Sequence, residues 1–249
     1  MEKNNVAERT RAGKVLPLAI LLALTALSMS SVWFAQRLTG FGGFIVTTGG
    51  ALISLVISLY VWSNWYRAEI DLASLKGWRY AAAIAAADLL VTLLFNSPSL
   101  GAFSAGGALF WAVWFTAFTG ILEEFWWRGV WFYLWRGRPF VTIVAGSALF
   151  GCLHLVQNSL ASVVVISSIG LLFGVARHKG ASIGSLALVH GLTFNWLNET
   201  ILKWESRALF GEAYEPFARA CVYAAAAGLM YFALPEKKAQ SVLPQGSGV

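Results

Sequence analysis

Charge is what this sequence has least of. Only 12% of its 249 residues are Asp, Glu, Lys or Arg, whereas charged residues make up about a quarter of a soluble domain. With 58% hydrophobic residues and a mean hydropathy of +0.66, that shortage excludes an ordinary water-soluble fold and points to an integral membrane protein. Cysteine is scarce too. Cys152 and Cys221 both lie in apolar segments and read as core residues rather than as a disulfide or a metal clip. Several catalytic signatures are missing: there is no HExxH, no Gly-rich phosphate loop, no elbow pairing a Ser or Cys with a His, and no Asp pair of the intramembrane aspartyl-protease kind. No repeat, low-complexity run or charge block marks a second domain.

What the chain does have is a succession of apolar runs. They fall at about 15–35, 44–65, 78–95, 107–127 (with a continuation toward 135), 140–156, 160–176, 181–197 and 217–234. Each is close to the roughly 20 residues that a spanning helix needs. The expected fold is therefore all-α, a polytopic membrane bundle of about eight helices over 15–234. A polar cytoplasmic segment (1–14) precedes it and a disordered tail (235–249) follows. A cleaved signal peptide is the rival for the first run, since Ala26-Leu27-Ser28 resembles a cleavage site. The run continues through Val32-Trp33-Phe34, past a signal-peptide core of about 7–15 residues, which favours a retained helix.

Basic residues fix the orientation. With the N-terminus inside, fourteen of the eighteen Lys and Arg fall on the cytoplasmic side, and only Arg37, Lys203, Arg207 and Arg219 fall outside. This positive-inside asymmetry puts both termini in the cytoplasm and accounts for the net charge of +6 without nucleic acid. Trp62, Trp65, Trp78, Trp196 and Trp204 near the span ends fit interfacial belts. The compact chain and short loops suggest, by analogy, a bacterial inner membrane. The partners expected are the lipid bilayer and a membrane-associated protein or peptide.

Against this background the stretch Ile121-Leu122-Glu123-Glu124-Phe125-Trp126-Trp127-Arg128-Gly129 stands out. Ionisable side chains at membrane depth cost several kcal/mol by most estimates, so they face a bundle interior or a wet cavity. Glu124 and Arg128 are four apart with the acid first, so on a helix they share a face and can pair. That leaves Glu123 another task. His154 on the fifth span, His190 on the seventh and Asp88 on the third come to comparable depth. A carboxylate and an imidazole can deprotonate a water for attack on a carbonyl, while a further His and an amide stabilise the oxyanion. Glu123, His154 and His190 can equally hold a zinc ion. A non-catalytic immunity or scaffold protein with a relict site, and a proton-coupled transporter using Glu123, Asp88 and the histidines as a relay, are the other readings these residues leave open.

Three ordered motifs narrow the choice: EExxxR at Glu123–Arg128, FxxxH at Phe150–His154, and His190 followed by Asn195. Together they resemble the signature of the CPBP family (CAAX proteases and bacteriocin-processing enzymes, also called Abi), multi-helix intramembrane endopeptidases, over about 107–197. The resemblance implies Glu123 as the base and His154 as its partner. It implies His190 and Asn195 as oxyanion donors, with Glu124 and Arg128 as orienting groups. Older descriptions of the family made it a metalloprotease. One departure is visible: the family spaces its last two residues as HxxxN, whereas here position 194 is Phe. On a regular helix a residue at i+4 lies about 40° from the first but one at i+5 about 140° away. Asn195 therefore reaches the site only where the helix bulges or unwinds; Thr193 is the substitute donor, and Asn198 lies further out.

Overall fold

The computed structural model describes residues 2–35, 37–38, 41–101, 104–156, 158–207, 209–211 and 213–234. The expected tail at 235–249 lies outside the described residues, as do the side chains of Trp33 and Trp204. Among the described residues the chain forms eight helices and one two-stranded ribbon. The helices are α1 (Glu2–Ala35), α2 (Phe41–Tyr66), α3 (Trp78–Phe95), α4 (Ala105–Leu134), α5 (Phe140–Leu153), α6 (Leu160–His178), α7 (183–201) and α8 (Glu215–Ala233). A 3₁₀ turn, His154–Val156, closes α5. The ribbon pairs β1 (Asn96–Leu100) antiparallel with β2 (Leu202–Ser206), joining the ends of α3 and α7.

Local chemistry marks several of these boundaries. Ser104, Ser159 and Ser182 begin α4, α6 and α7, each accepting a hydrogen bond from the backbone N–H three residues on, the usual N-cap arrangement. Inside the helices the regular ladder is interrupted. α4 carries π-type turns at Phe115–Ile121 and Phe125–Val130, and α7 passes from an α-helix at Ile183–Val189 into π-type turns over His190–Ile201. In such turns the hydrogen bond runs from i to i+5, and they occur frequently at functional sites.

Four helices are long and apolar enough to cross a membrane: Phe41–Tyr66, Trp78–Phe95, Ala105–Leu134 and Leu160–His178. Leu16–Ser28 within α1 and Phe140–Leu153 are apolar but shorter. α7 and α8 are not among either group; they carry His190, Asn195 and Asn198, and Glu215 and Arg219, respectively. The outer surface is that of a membrane protein, with Phe232 86% exposed, Leu109 68% and Val56 64%. Apolar exposure on this scale suits hydrocarbon rather than water.

α1 lies along α2, α5 and α8 lie along α6, and α7 packs against α4 and α3. The interior divides into two apolar clusters. Leu21, Leu24, Val61, Trp126, Trp127 and Phe150 belong to the first, built mainly from α1, α2, α4 and α5. The second holds Ile84, Leu172, Phe173, Leu186, Tyr223 and Met230 from α3, α6, α7 and α8. The crossing of α4 and α7 that joins them depends on two glycines. A Cβ on Gly120 would collide with the Ala187 carbonyl, and one on Gly191 would collide with the Thr116 backbone. Small residues of this kind let membrane helices approach backbone to backbone. Here the approach brings Glu124 within reach of His190.

The alternating helices give the bundle two ends. At the ribbon end are the α1–α2 link, β1, β2, the α5–α6 link and the start of α8; at the basic end are the α2–α3, α4–α5 and α6–α7 links. The basic end is tied by Ser182, whose N–H donates to the Lys76 carbonyl (2.8 Å) and whose hydroxyl donates to the Ser74 carbonyl (2.5 Å).

Candidate active site

Glu123 and Glu124 follow each other on α4 and meet different surroundings. Glu124 is fully buried, and its Oε1 accepts from Arg128 Nη1 (3.2 Å) and from His190 Nδ1 (2.8 Å). Arg128 is itself buried. Its second amino group donates to the Gly170 carbonyl on α6 (3.2 Å), and its guanidinium lies over the rings of Phe150 (4.6 Å) and Phe173 (5.4 Å), between the two apolar clusters. The pair expected from the i,i+4 spacing is thus extended into a chain, Arg128–Glu124–His190, spanning α4 and α7.

Glu123 keeps a quarter of its side chain exposed, and its Oε2 stands 3.8 Å from His190 Nε2. That is beyond hydrogen-bond range. Among the described residues the buried Oε2 atoms of both Glu123 and Glu124 have no hydrogen-bond partner. A carboxylate oxygen left unpaired inside a bundle is costly and calls for an explanation in function. The ion-pair contact of Glu123 is thus with His190, whereas the family resemblance makes His154 its partner. His154 lines the same cavity from the 3₁₀ turn after α5. Its Nδ1 lies 2.8 Å from the Phe150 carbonyl, so Nδ1 carries a proton, and in the neutral ring the lone pair is on Nε2. The carbonyl acceptor is supplied by the Phe of the FxxxH motif.

Asn195 is where the local helix geometry matters most. In the π-type turns of α7 the residue five along stacks over the first, so Asn195 shares the face of His190. Its Nδ2 donates to the His190 carbonyl (3.1 Å), and its side chain lines the cavity. Thr193 is differently engaged, its hydroxyl donating to the Val189 carbonyl at 2.6 Å. Asn198 points elsewhere, donating from Nδ2 to Asp88 Oδ2 (3.1 Å), while Tyr223 OH donates to Asp88 Oδ1 (2.7 Å). Asp88 thereby ties α3 to α7 and α8. The amide of the sequon-like Asn198-Glu199-Thr200 is used inside the bundle.

The cavity that gathers these groups has a volume of about 540 Å³ and is lined by Glu123, His154, His190 and Asn195. Trp114, Phe115, Phe118 and Phe150 form its apolar wall, and Ser28, Thr47 and Asn158 contribute polar atoms. Residues 105–197 match the family model described as Type II CAAX prenyl endopeptidase Rce1-like. Over these residues the chain is similar to that family, in agreement with the CPBP resemblance of the three motifs. No curated protein and no solved structure matches the chain. The CPBP match runs from the start of α4 to within α7, and so takes in every residue named in the three motifs.

Two contributors escape a reading of the motifs. Arg177, near the end of α6, donates from Nε to the Arg128 carbonyl (3.1 Å) and from Nη1 to the Ala181 carbonyl (2.8 Å), bracing the π-type turn that holds Arg128. Its only sequence signal is a basic residue closing an apolar run. Asn158 stands four residues after His154, donates to its carbonyl (3.3 Å) and forms part of the cavity rim. Among the described residues no group of three His, Cys, Asp or Glu is placed to hold a metal ion. His154 Nδ1 and His190 Nδ1 are both engaged by oxygen acceptors, as the second nitrogen of a metal-ligating imidazole also is.

Proposed function

We propose that this protein is a CPBP-type intramembrane endopeptidase that hydrolyses a peptide bond of a membrane-associated protein or peptide with a water activated by Glu123. The observation that carries the reading is the convergence of Glu123, His154, His190 and Asn195, from three helices, on one cavity. In the reaction Glu123 takes a proton from the water as it attacks the scissile carbonyl. The Nε2 lone pair of His154 accepts the water's second hydrogen bond and orients it. The carbonyl oxygen, now an oxyanion, receives N–H bonds from His190 Nε2 and Asn195 Nδ2, and the proton on Glu123 passes to the departing amine.

His190 can donate from Nε2 while its Nδ1 is held by Glu124 only as an imidazolium. Charge balance supports that form: with it, the Glu123 and Glu124 carboxylates are matched by Arg128 and His190. Glu124 and Arg128 act as positioning groups. Metal analysis of the purified, active protein tests directly whether the water is activated without a metal.

The decisive experiment is Glu123→Gln. The amide is isosteric but cannot accept the proton, so cleavage of membrane peptides by the purified protein falls by at least about 10²-fold while elution in detergent and thermal unfolding are unchanged. Full activity in that variant would sink the mechanism.

A further inference from the structure

The cavity belongs to one half of the bundle. Thr47 lies near the start of α2, Ser28 toward the end of α1 and Ile166 in the first half of α6, while Asn158 is exposed in the α5–α6 link. All of these are toward the ribbon end. In the other direction the site is closed off: Phe125 is 1% exposed, Arg128 2%, Val130 0% and Phe173 1%, and a separate cavity of about 800 Å³ at the basic end, lined by Tyr133, Arg136 and Arg177 among others, takes in none of Glu123, His154, His190 or Asn195. The Arg128–Glu124 pair, with aromatic rings around it, is the floor of the cavity.

Charge is distributed the opposite way. Arg67, Lys76, Arg79, Arg136, Arg138 and Lys179 all lie at or beside the links of the basic end, and the N-terminal basic residues Lys3, Arg9, Arg11 and Lys14 belong to the first part of α1, which starts from that end. The ribbon end has only Arg37, Lys203, Arg207 and Arg219. Excess Lys and Arg in short links marks the cytoplasmic side. The basic end is then cytoplasmic, and the end toward which the cavity opens faces away from the cytoplasm.

We infer that the cavity opens to the extracytoplasmic face and that its substrate is a membrane-associated polypeptide displayed on that side, with apolar side chains flanking the scissile bond to meet Trp114, Phe115 and Phe118. The substrate class rests on the endopeptidase reading; the side of opening does not. A prenylated C-terminus with upstream basic residues is held at the anionic cytoplasmic leaflet. This arrangement puts the floor of the cavity between such an anchor and Glu123, so substrates of that kind are not the ones it serves.

The test is sided cysteine labelling in a background carrying Cys152→Ser and Cys221→Ser. Single cysteines are introduced as Asn158→Cys and Thr47→Cys in the cavity and Arg136→Cys at the basic end. Each is treated with a membrane-impermeant sulfonated maleimide in spheroplasts and in inverted vesicles, and a permeant maleimide serves as control. Asn158→Cys and Thr47→Cys should react at least ten-fold faster in spheroplasts, and Arg136→Cys at least ten-fold faster in inverted vesicles. Absence of reaction at Asn158→Cys from the extracytoplasmic face, whatever happens from the other, overturns the inference. Labelling does not require catalysis. An unaltered pattern alongside full activity of Glu123→Gln would therefore overturn the proposed mechanism and leave the sidedness standing.

Discussion

Adjacent carboxylates can have opposite fates within one helical turn. Glu124 is enclosed and bonded to Arg128 and His190, so its charge is spent on holding geometry. Glu123, one residue earlier, lines the cavity with a quarter of its side chain exposed, the access to water that a general base requires. The same division separates the amides of α7. Asn195 lies over His190 and at the cavity, while Asn198 is taken up by Asp88. As an oxyanion donor Asn195 acts chiefly in the transition state, so Asn195→Ala should lower kcat by about 10²–10³-fold. KM should stay nearly unchanged, as read from steady-state kinetics on a fluorogenic membrane peptide. An equal loss in KM with kcat intact would make Asn195 a substrate-binding group instead.

At the scale of elements, the site depends on how closely α4 and α7 approach and on the π-type turns within them. Gly120 and Gly191 sit at the contact, and each would place a Cβ against the backbone of the opposing helix. Gly191→Ala should therefore push the helices apart and cost about 1–3 kcal/mol. It should also lengthen the 2.8 Å bond from His190 to Glu124, so that thermal stability in detergent and activity fall together. A Cβ on Gly228 of α8 would meet nothing within 4 Å, so Gly228→Ala is the matched control and should change neither. Parallel loss in the control would show that the effect is not specific to the crossing, since helix propensity alone favours Ala over Gly. Asp88 works at this scale too: its bonds from Asn198 and Tyr223 hold the π-type half of α7 against α3 and α8.

For the whole molecule, the governing feature is that the cavity of the site opens toward the end opposite the basic links. Arg67, Lys76, Arg79, Arg136, Arg138 and Lys179 lie at or beside the links of one end, and the cavity rim at Asn158 lies at the other. Reporter fusions read this polarity without reference to the cavity. Alkaline phosphatase joined after Phe210, between β2 and α8, should be active if the ribbon end is extracytoplasmic, as inferred from the basic links. A fluorescent protein joined after Gly137, between α4 and α5, should fold and fluoresce in the cytoplasm. The reverse pattern would invert the assigned orientation.

Much of this molecule is legible in the linear chain because the membrane imposes simple requirements on it. A spanning helix must be apolar for its full length, and ionisable residues within it must be compensated, so both the eight runs and the anomaly at Glu123, Glu124 and Arg128 can be read directly. Ser104, Ser159 and Ser182 announce helix starts through the same local chemistry. Other features are set only in three dimensions. Regular 3.6-residue periodicity turns Asn195 away from His190; the π-type turns of α7 bring it back, and they are held by packing against α3 and α4 rather than by local propensity. The pairing of His190 with both glutamates, the bracing of Arg128 by Arg177 and the closed floor of the cavity likewise join residues far apart in the chain. The sequence by itself determined which costly side chains had to meet inside the bilayer. Tertiary structure decided which of them pair and which is left open to the cavity, because that depends on how closely the helix backbones can approach.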